Sequence, residues 1–122
     1  MKKSRKKRLA IFISGRGSNM ENIVRAARRG RLEAEPALVF SDNPAAEGIK
    51  KAARLGVETA FLERSSFESK ELYERAIVGL LKAKGIDFIA LAGFMRIVGT
   101  VLLEAYPGKV LNIHPALLPS FK

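Results

Sequence analysis

A five-residue apolar run, Leu9-Ala-Ile-Phe-Ile13, passes directly into the glycine-rich loop Ser14-Gly-Arg-Gly-Ser-Asn19, and few folds accommodate that junction. A short run without polar alternation suits a strand buried on both faces, as parallel strands are. After the loop, Met20, Ile23, Val24 and Ala27 fall at i, i+3, i+4 and i+7, Arg28 and Arg29 follow, and Gly30 is a stop. That is the pattern of an amphipathic helix. Strand, glycine loop and helix in this order place backbone N–H groups and a helix dipole where they can hold a phosphate.

The same rhythm continues along the chain. A second strand is expected at Ala37 to Phe40, a turn at Ser41 to Pro44, a helix from about Ala45 to Leu55 with Gly56 as stop, and a third strand at Val57 to Leu62. Tyr73, Ile77, Leu80 and Leu81 share one face of a long helix over Ser69 to Lys84, closed by Lys82, Lys84 and Gly85. A fourth strand (Phe88 to Leu91), a short helix (Val98 to Ala105) and a fifth, buried strand (Val110 to Ile113) complete the series. This alternation predicts an α/β fold, a Rossmann-like open, mainly parallel sheet with helices on both faces. Ligands of such sheets sit beyond the carboxyl ends of the strands.

Composition narrows the function. With 122 residues and 48% hydrophobic content the chain fits one domain with a real core. It has no cysteine, which removes disulfides, thiolate metal ligands and a cysteine nucleophile, and which suits a reducing, cytoplasmic compartment. The apolar run after Arg8 is too short for a signal peptide, and nothing approaches the roughly 20 apolar residues of a membrane span. Of the 22 basic residues, six lie in the first eight positions, so residues 1–8 read as a solvated, disordered tail, and residues 9–122 as the folded part. The tail lacks interleaved aromatics, which disfavours nucleic acid as a partner. The remaining 16 basic against 12 acidic residues would draw small anionic substrates.

In the loop, Gly15 and Gly17 permit the tight turn, and Ser18 and Asn19 add side-chain donors. Either residue could instead merely cap the helix. Position 20, where a dinucleotide fingerprint requires glycine, holds Met20, so a mononucleotide-sized phosphate fits better; Asp42, after the second strand, keeps the dehydrogenase-like alternative open. At the other end, Asn112 and His114 are two apart at the end of a strand and point to one face. An amide to stabilise an oxyanion beside an imidazole to move a proton suits acyl-type chemistry. A lone histidine is more often structural.

Ile13-Ser-Gly-Arg-Gly-Ser-Asn19, Ala92-Gly-Phe-Met-Arg-Ile97 and Leu111-Asn-Ile-His-Pro-Ala-Leu-Leu-Pro119 together resemble, in order and spacing, the phosphoribosylglycinamide formyltransferases. The resemblance spans Leu9 to Lys122. It implies formyl transfer from 10-formyltetrahydrofolate, a co-substrate, to glycinamide ribonucleotide, without a metal. It further implies that Gly17, Ser18 and Asn19 hold the ribonucleotide phosphate, that Lys70, Met95, Arg96, Ile97, Val98 and Asn112 contact folate, and that Asn112 and His114 are catalytic. Phe94, Met95 and Ile97 could equally be core, and Lys70 a solvated first-turn residue. In the family an aspartate from the carboxyl-terminal half orients the histidine, and the pattern continues past Pro119. The resemblance therefore implies that residues 1–122 are part of a longer enzyme and are inactive alone. A homodimer stays open. Other folate-dependent formyltransferases, formyltetrahydrofolate hydrolases and a noncatalytic mononucleotide-binding module are the competing readings.

Overall fold

The computed structural model describes residues 6–113. Their chain alternates β1 (Lys7–Ile13), α1 (Ser18–Arg28), β2 (Ala34–Ser41), α2 (Glu47–Arg54), β3 (Thr59–Phe61), a 3-10 turn (Arg64–Ser66), α3 (Lys70–Ala83), β4 (Phe88–Leu91), α4 (Thr100–Ala105) and β5 (Val110–Asn112). The five strands form one sheet in the order β3-β2-β1-β4-β5, and every pairing is parallel. The expected α/β architecture is present. No helix among the described residues is long and apolar enough to cross a membrane.

β1 takes the centre because no residue from Leu9 to Ile13 is more than 6% exposed. Its side chains alternate between two cores. Leu9, Ile11 and Ile13 pack with Met20, Ile23 and Val24 of α1 and Ala52 of α2. Ala10 and Phe12 face Tyr73, Ile77 and Leu81 of α3 and Leu102 of α4. The apolar stripes predicted for α1 and α3 therefore cover opposite faces of the sheet.

Several elements differ from expectation, β3 and α4 among them by being shorter, and three of the differences have a clear physical reason. β1 begins at Lys7, so Lys7 and Arg8 of the expected tail belong to the sheet; Met1 to Arg5 lie outside the described residues. Arg8 is tied down by its backbone N–H to the Asp87 carboxylate (2.8 Å), by Nε to the Lys84 carbonyl (3.1 Å) and by an ion pair with Glu35. β2 runs from Ala34 through Pro36, and the register shifts where Leu9 pairs with Pro36 and Ala10 with Leu38. Pro36 has no N–H for the ladder, and an irregularity there lets pairing resume beyond it. The third difference is β5, which is largely exposed, with Leu111 at 44%, because it is the edge of the sheet among the described residues.

The chain leaves β1 toward β2 and β3 on one side and returns through α3 to β4 on the other. The carboxyl ends of β1 and β4 thus flank the point where strand order reverses, the usual crevice for a ligand.

Candidate functional site

The glycine-rich loop Ser14 to Asn19 lies at that crevice. Gly17 is the residue before α1, with φ 76° and ψ 28°, in the left-handed region. Among the described residues no side chain caps α1, which corrects the reading of Ser18 or Asn19 as a mere cap: both lie inside the first turn of the helix. The first turn's N–H groups have no partners within the helix and so are open to an anion. Ser14 to Asn19 border a cleft of about 410 Å³ whose other wall is Ala92, Gly93 and Met95, from the loop after β4.

Gly48 of α2 packs directly against this loop, a contact that sequence reasoning missed. Its N–H donates to the Gly15 carbonyl (2.9 Å), and a Cβ on Gly17 would stand 2.8 Å from the Gly48 Cα. Two helices meet here without side chains between them. A lone glycine inside a helical pattern was the available signal, but it names no contact partner.

The loop between β4 and α4 carries the expected folate residues. Phe94 is half-buried and packs against the core, its ring 5.2 Å from Phe12 in an edge-on contact. Met95 and Ile97 are 81% and 82% exposed, so the core reading fails for them. Lys70 is the first residue of α3, whose N-terminus is capped by Ser69 through the Leu72 N–H (3.1 Å), and it is exposed. It nevertheless borders, with Met95, Arg96 and Ile97, a second cleft of about 370 Å³ that also includes Arg64 and Tyr73. The Tyr73 hydroxyl donates to the Leu62 carbonyl (2.8 Å); burial first, and then the Asp42 charge, push its pKa up to about 12. It stays protonated near neutral pH. Val98 is half-buried and lines neither cleft.

Asp42 is committed to the protein. One carboxylate oxygen accepts the Ser14 hydroxyl (2.8 Å) and the other accepts Arg96 Nε (2.8 Å). An acid held at both oxygens is poorly placed to bind a ribose, which counts against the dinucleotide alternative. The Arg96 guanidinium is likewise turned toward Asp42 through its Nε. Glu74, a buried acid on the apolar face of α3, accepts the N–H groups of Gly99 (2.7 Å) and Leu102 (3.1 Å) and so fixes the start of α4.

Asn112 ends β5, paired with Leu91 of β4, and is exposed; it borders neither cleft. His114 and the following Pro115 to Pro119 lie outside the described residues. The structure therefore gathers Gly17, Ser18 and Asn19 around one cleft and Lys70, Arg96 and Ile97 around the other, with Met95 shared between them.

Residues 7–122 match a protein family described as formyl transferase. The chain belongs to the formyl transferase family. Among members of this family, it is 43% identical over 115 residues to a phosphoribosylglycinamide formyltransferase of Bacillus subtilis, covering 94% of this chain and 59% of that protein. It is 38% identical over 118 residues to the trifunctional purine biosynthetic protein adenosine-3 of Homo sapiens, covering 97% of this chain and 12% of that one. A solved structure of glycinamide ribonucleotide transformylase 1 from Geobacillus kaustophilus superposes with a TM-score of 0.87 at 48% identity, over 97% of this chain and 63% of that one. The chain thus spans about three fifths of the length of the bacterial formyl transferases it matches.

Proposed function

We propose that this chain carries the nucleotide-binding part of an enzyme that transfers a formyl group from 10-formyltetrahydrofolate to the amine of glycinamide ribonucleotide in purine synthesis. The observation that carries this reading is the adjacency of two open clefts across the switch point: an uncapped helix N-terminus at Gly17 to Asn19, and an exposed apolar pair, Met95 and Ile97, one strand away. A phosphate suits the first and a flat, partly apolar pterin the second. Met95 touches both clefts, so the two ligands would meet beside it.

In this mechanism the substrate amine attacks the formyl carbon, and the carbonyl oxygen becomes an oxyanion. The Asn112 amide stabilises that tetrahedral oxyanion, the attacking nitrogen gives up a proton to water, and the intermediate then collapses, breaking the C–N bond to folate as His114 delivers a proton to the departing nitrogen. Gly17, Ser18 and Asn19 hold the ribonucleotide phosphate, and Lys70 with Met95, Arg96 and Ile97 holds folate, with Val98 behind them. No metal takes part. A cysteine-free chain acting on such metabolites belongs in the cytoplasm.

The test is calorimetric titration of the complete gene product with glycinamide ribonucleotide, for wild type and for Ser18→Ala and Asn19→Ala. Each variant should weaken binding about tenfold, the loss of one or two hydrogen bonds to a charged group. Unchanged affinity in both variants would remove the phosphate assignment.

A further inference from the structure

The loop after β4 has an unusual basis for its order. Between the buried Ala92 and the half-buried Val98, only Phe94 is packed into the core, while Met95 and Ile97 are about four-fifths exposed. A segment with so few buried contacts opens readily unless polar bonds hold it. Such bonds are present, and they converge on Ser14 of the phosphate loop. The Ser14 backbone N–H donates to the Gly93 carbonyl (3.2 Å), and its hydroxyl oxygen accepts the Met95 N–H (2.8 Å). That hydroxyl has a single proton, which goes to Asp42 (2.8 Å), and this donation aims its lone pairs at Met95. The second Asp42 oxygen takes Arg96 Nε, one residue further along the same loop.

Asp42 itself is well anchored. It follows Ser41, which pairs with Ile13 and is fully buried at the end of β2, and its own side chain is 10% exposed against 45% for Arg96. The carboxylate is therefore the fixed point, and the two loops hang from it. In a partly buried site, hydrogen bonds in series polarise and strengthen one another, so loosening one loosens the next.

We propose that Asp42 is a positioning residue that couples the phosphate loop after β1 to the loop after β4 through Ser14 and Arg96, so that filling one ligand subsite orders the other. Asp42 touches neither ligand. A phosphate drawn to Gly17 to Asn19 stiffens the segment that starts at Ser14, and the stiffened hydroxyl holds Met95 and Arg96 in the conformation a second ligand needs. Coupling of this kind is reciprocal: each ligand raises the affinity of the other by the same factor, about fivefold or more in typical cases. The coupling rests on the reading of the two clefts as ligand subsites, whereas the tie between the loops does not.

The experiment is amide hydrogen exchange on the complete gene product, for wild type, Asp42→Asn and Ser14→Ala, with and without glycinamide ribonucleotide. The side-chain amide introduced by Asp42→Asn presents one acceptor oxygen and so keeps only one of the two bonds; Ser14→Ala removes the hydroxyl alone. Without ligand, both variants should speed exchange at Met95 about tenfold or more while amides of β1 such as Ile11 keep wild-type rates. Unchanged Met95 exchange in both variants overturns the tie. With the ribonucleotide bound, Met95 exchange should slow in wild type and not respond in Asp42→Asn; an equal response in both overturns the coupling. If the ribonucleotide fails to bind wild type, the phosphate-loop reading falls and the coupling with it, and the ligand-free comparison still decides whether Asp42 ties the loops.

Discussion

Replacing Gly17 by alanine should unfold this domain more easily than any other single added methyl at a left-handed glycine, and the structure separates the two reasons. The first is conformational. Gly17 has φ 76°, and a non-glycine residue in the left-handed region costs about 1–2 kcal/mol. The second is steric, because a Cβ would stand 2.8 Å from the Gly48 Cα and 3.1 Å from Met20 Cε. The methionine end can swing away, but the Gly48 backbone is fixed by its bond to the Gly15 carbonyl, so forced overpacking adds about 1–3 kcal/mol. Against these stands the lower entropy of an unfolded alanine, about 0.4–1 kcal/mol in the variant's favour. The net is a loss of about 1–5 kcal/mol, centred near 3. Gly30 supplies the control: it has the same φ of 76°, but a Cβ there meets nothing within 4 Å, so Gly30→Ala should lose only about 1 kcal/mol. Urea titrations followed by circular dichroism, with equal m-values, give both numbers. If Gly17→Ala were no less stable than Gly30→Ala, the close approach of the glycine-rich loop to α2 would carry no energetic weight.

Glu74→Ala should lose about 1–3 kcal/mol, since the Gly99 and Leu102 N–H groups lose their acceptor in a buried setting, and chemical denaturation measures it; Glu74→Gln, which keeps one acceptor, should recover part of the loss. Tyr106 is 2% exposed, its hydroxyl donates to the Ile86 carbonyl, and burial, with Asp87 adding to it, raises its pKa to about 12. The folded state therefore favours the neutral phenol, a stabilisation complete below the ordinary value of 10 and lost as pH rises from there toward 12. Thermal melts between those limits should fall steeply for wild type and less so for Tyr106→Phe; parallel falls would contradict the assignment. For the complete gene product, His114→Ala should lower formyl-transfer turnover by roughly 10² or more while leaving ribonucleotide affinity within about twofold, as expected of a proton-transfer group. Equal losses of turnover and affinity, accompanied by an altered circular dichroism spectrum, would make His114 structural instead.

Much of the fold was legible because it is written in local periodicity. The apolar run at Leu9 to Ile13 and the stripe at Met20, Ile23, Val24 and Ala27 each report which face of an element is buried, and both appear where expected. Edges were less legible. Lys7 and Arg8 are drawn into β1 by Asp87, Lys84 and Glu35, partners between 27 and 79 residues away from Arg8 in the chain, which no local window contains. β5 was expected to be buried from its apolar composition, yet exposure depends on what lies beside a strand, and β5 is at an edge among the described residues.

The sequence by itself determined the order of strands and helices, the placement of Ser14 to Asn19 between β1 and α1, and membership of the formyl transferase family. Those are properties of spacing and of short motifs. Only the tertiary structure decided that Gly48 backs the glycine-rich loop, that Asp42 joins Ser14 to Arg96 across 28 and 54 residues, and that Glu74 reaches the start of α4 from α3. It also decided that Met95 and Ile97 face solvent while Phe94, between Gly93 and Met95 in sequence, packs against the core. Periodicity specifies which side of each element must leave water, but the partners that meet there follow from the order and register in which the strands pair, and that is set by the whole chain closing on itself.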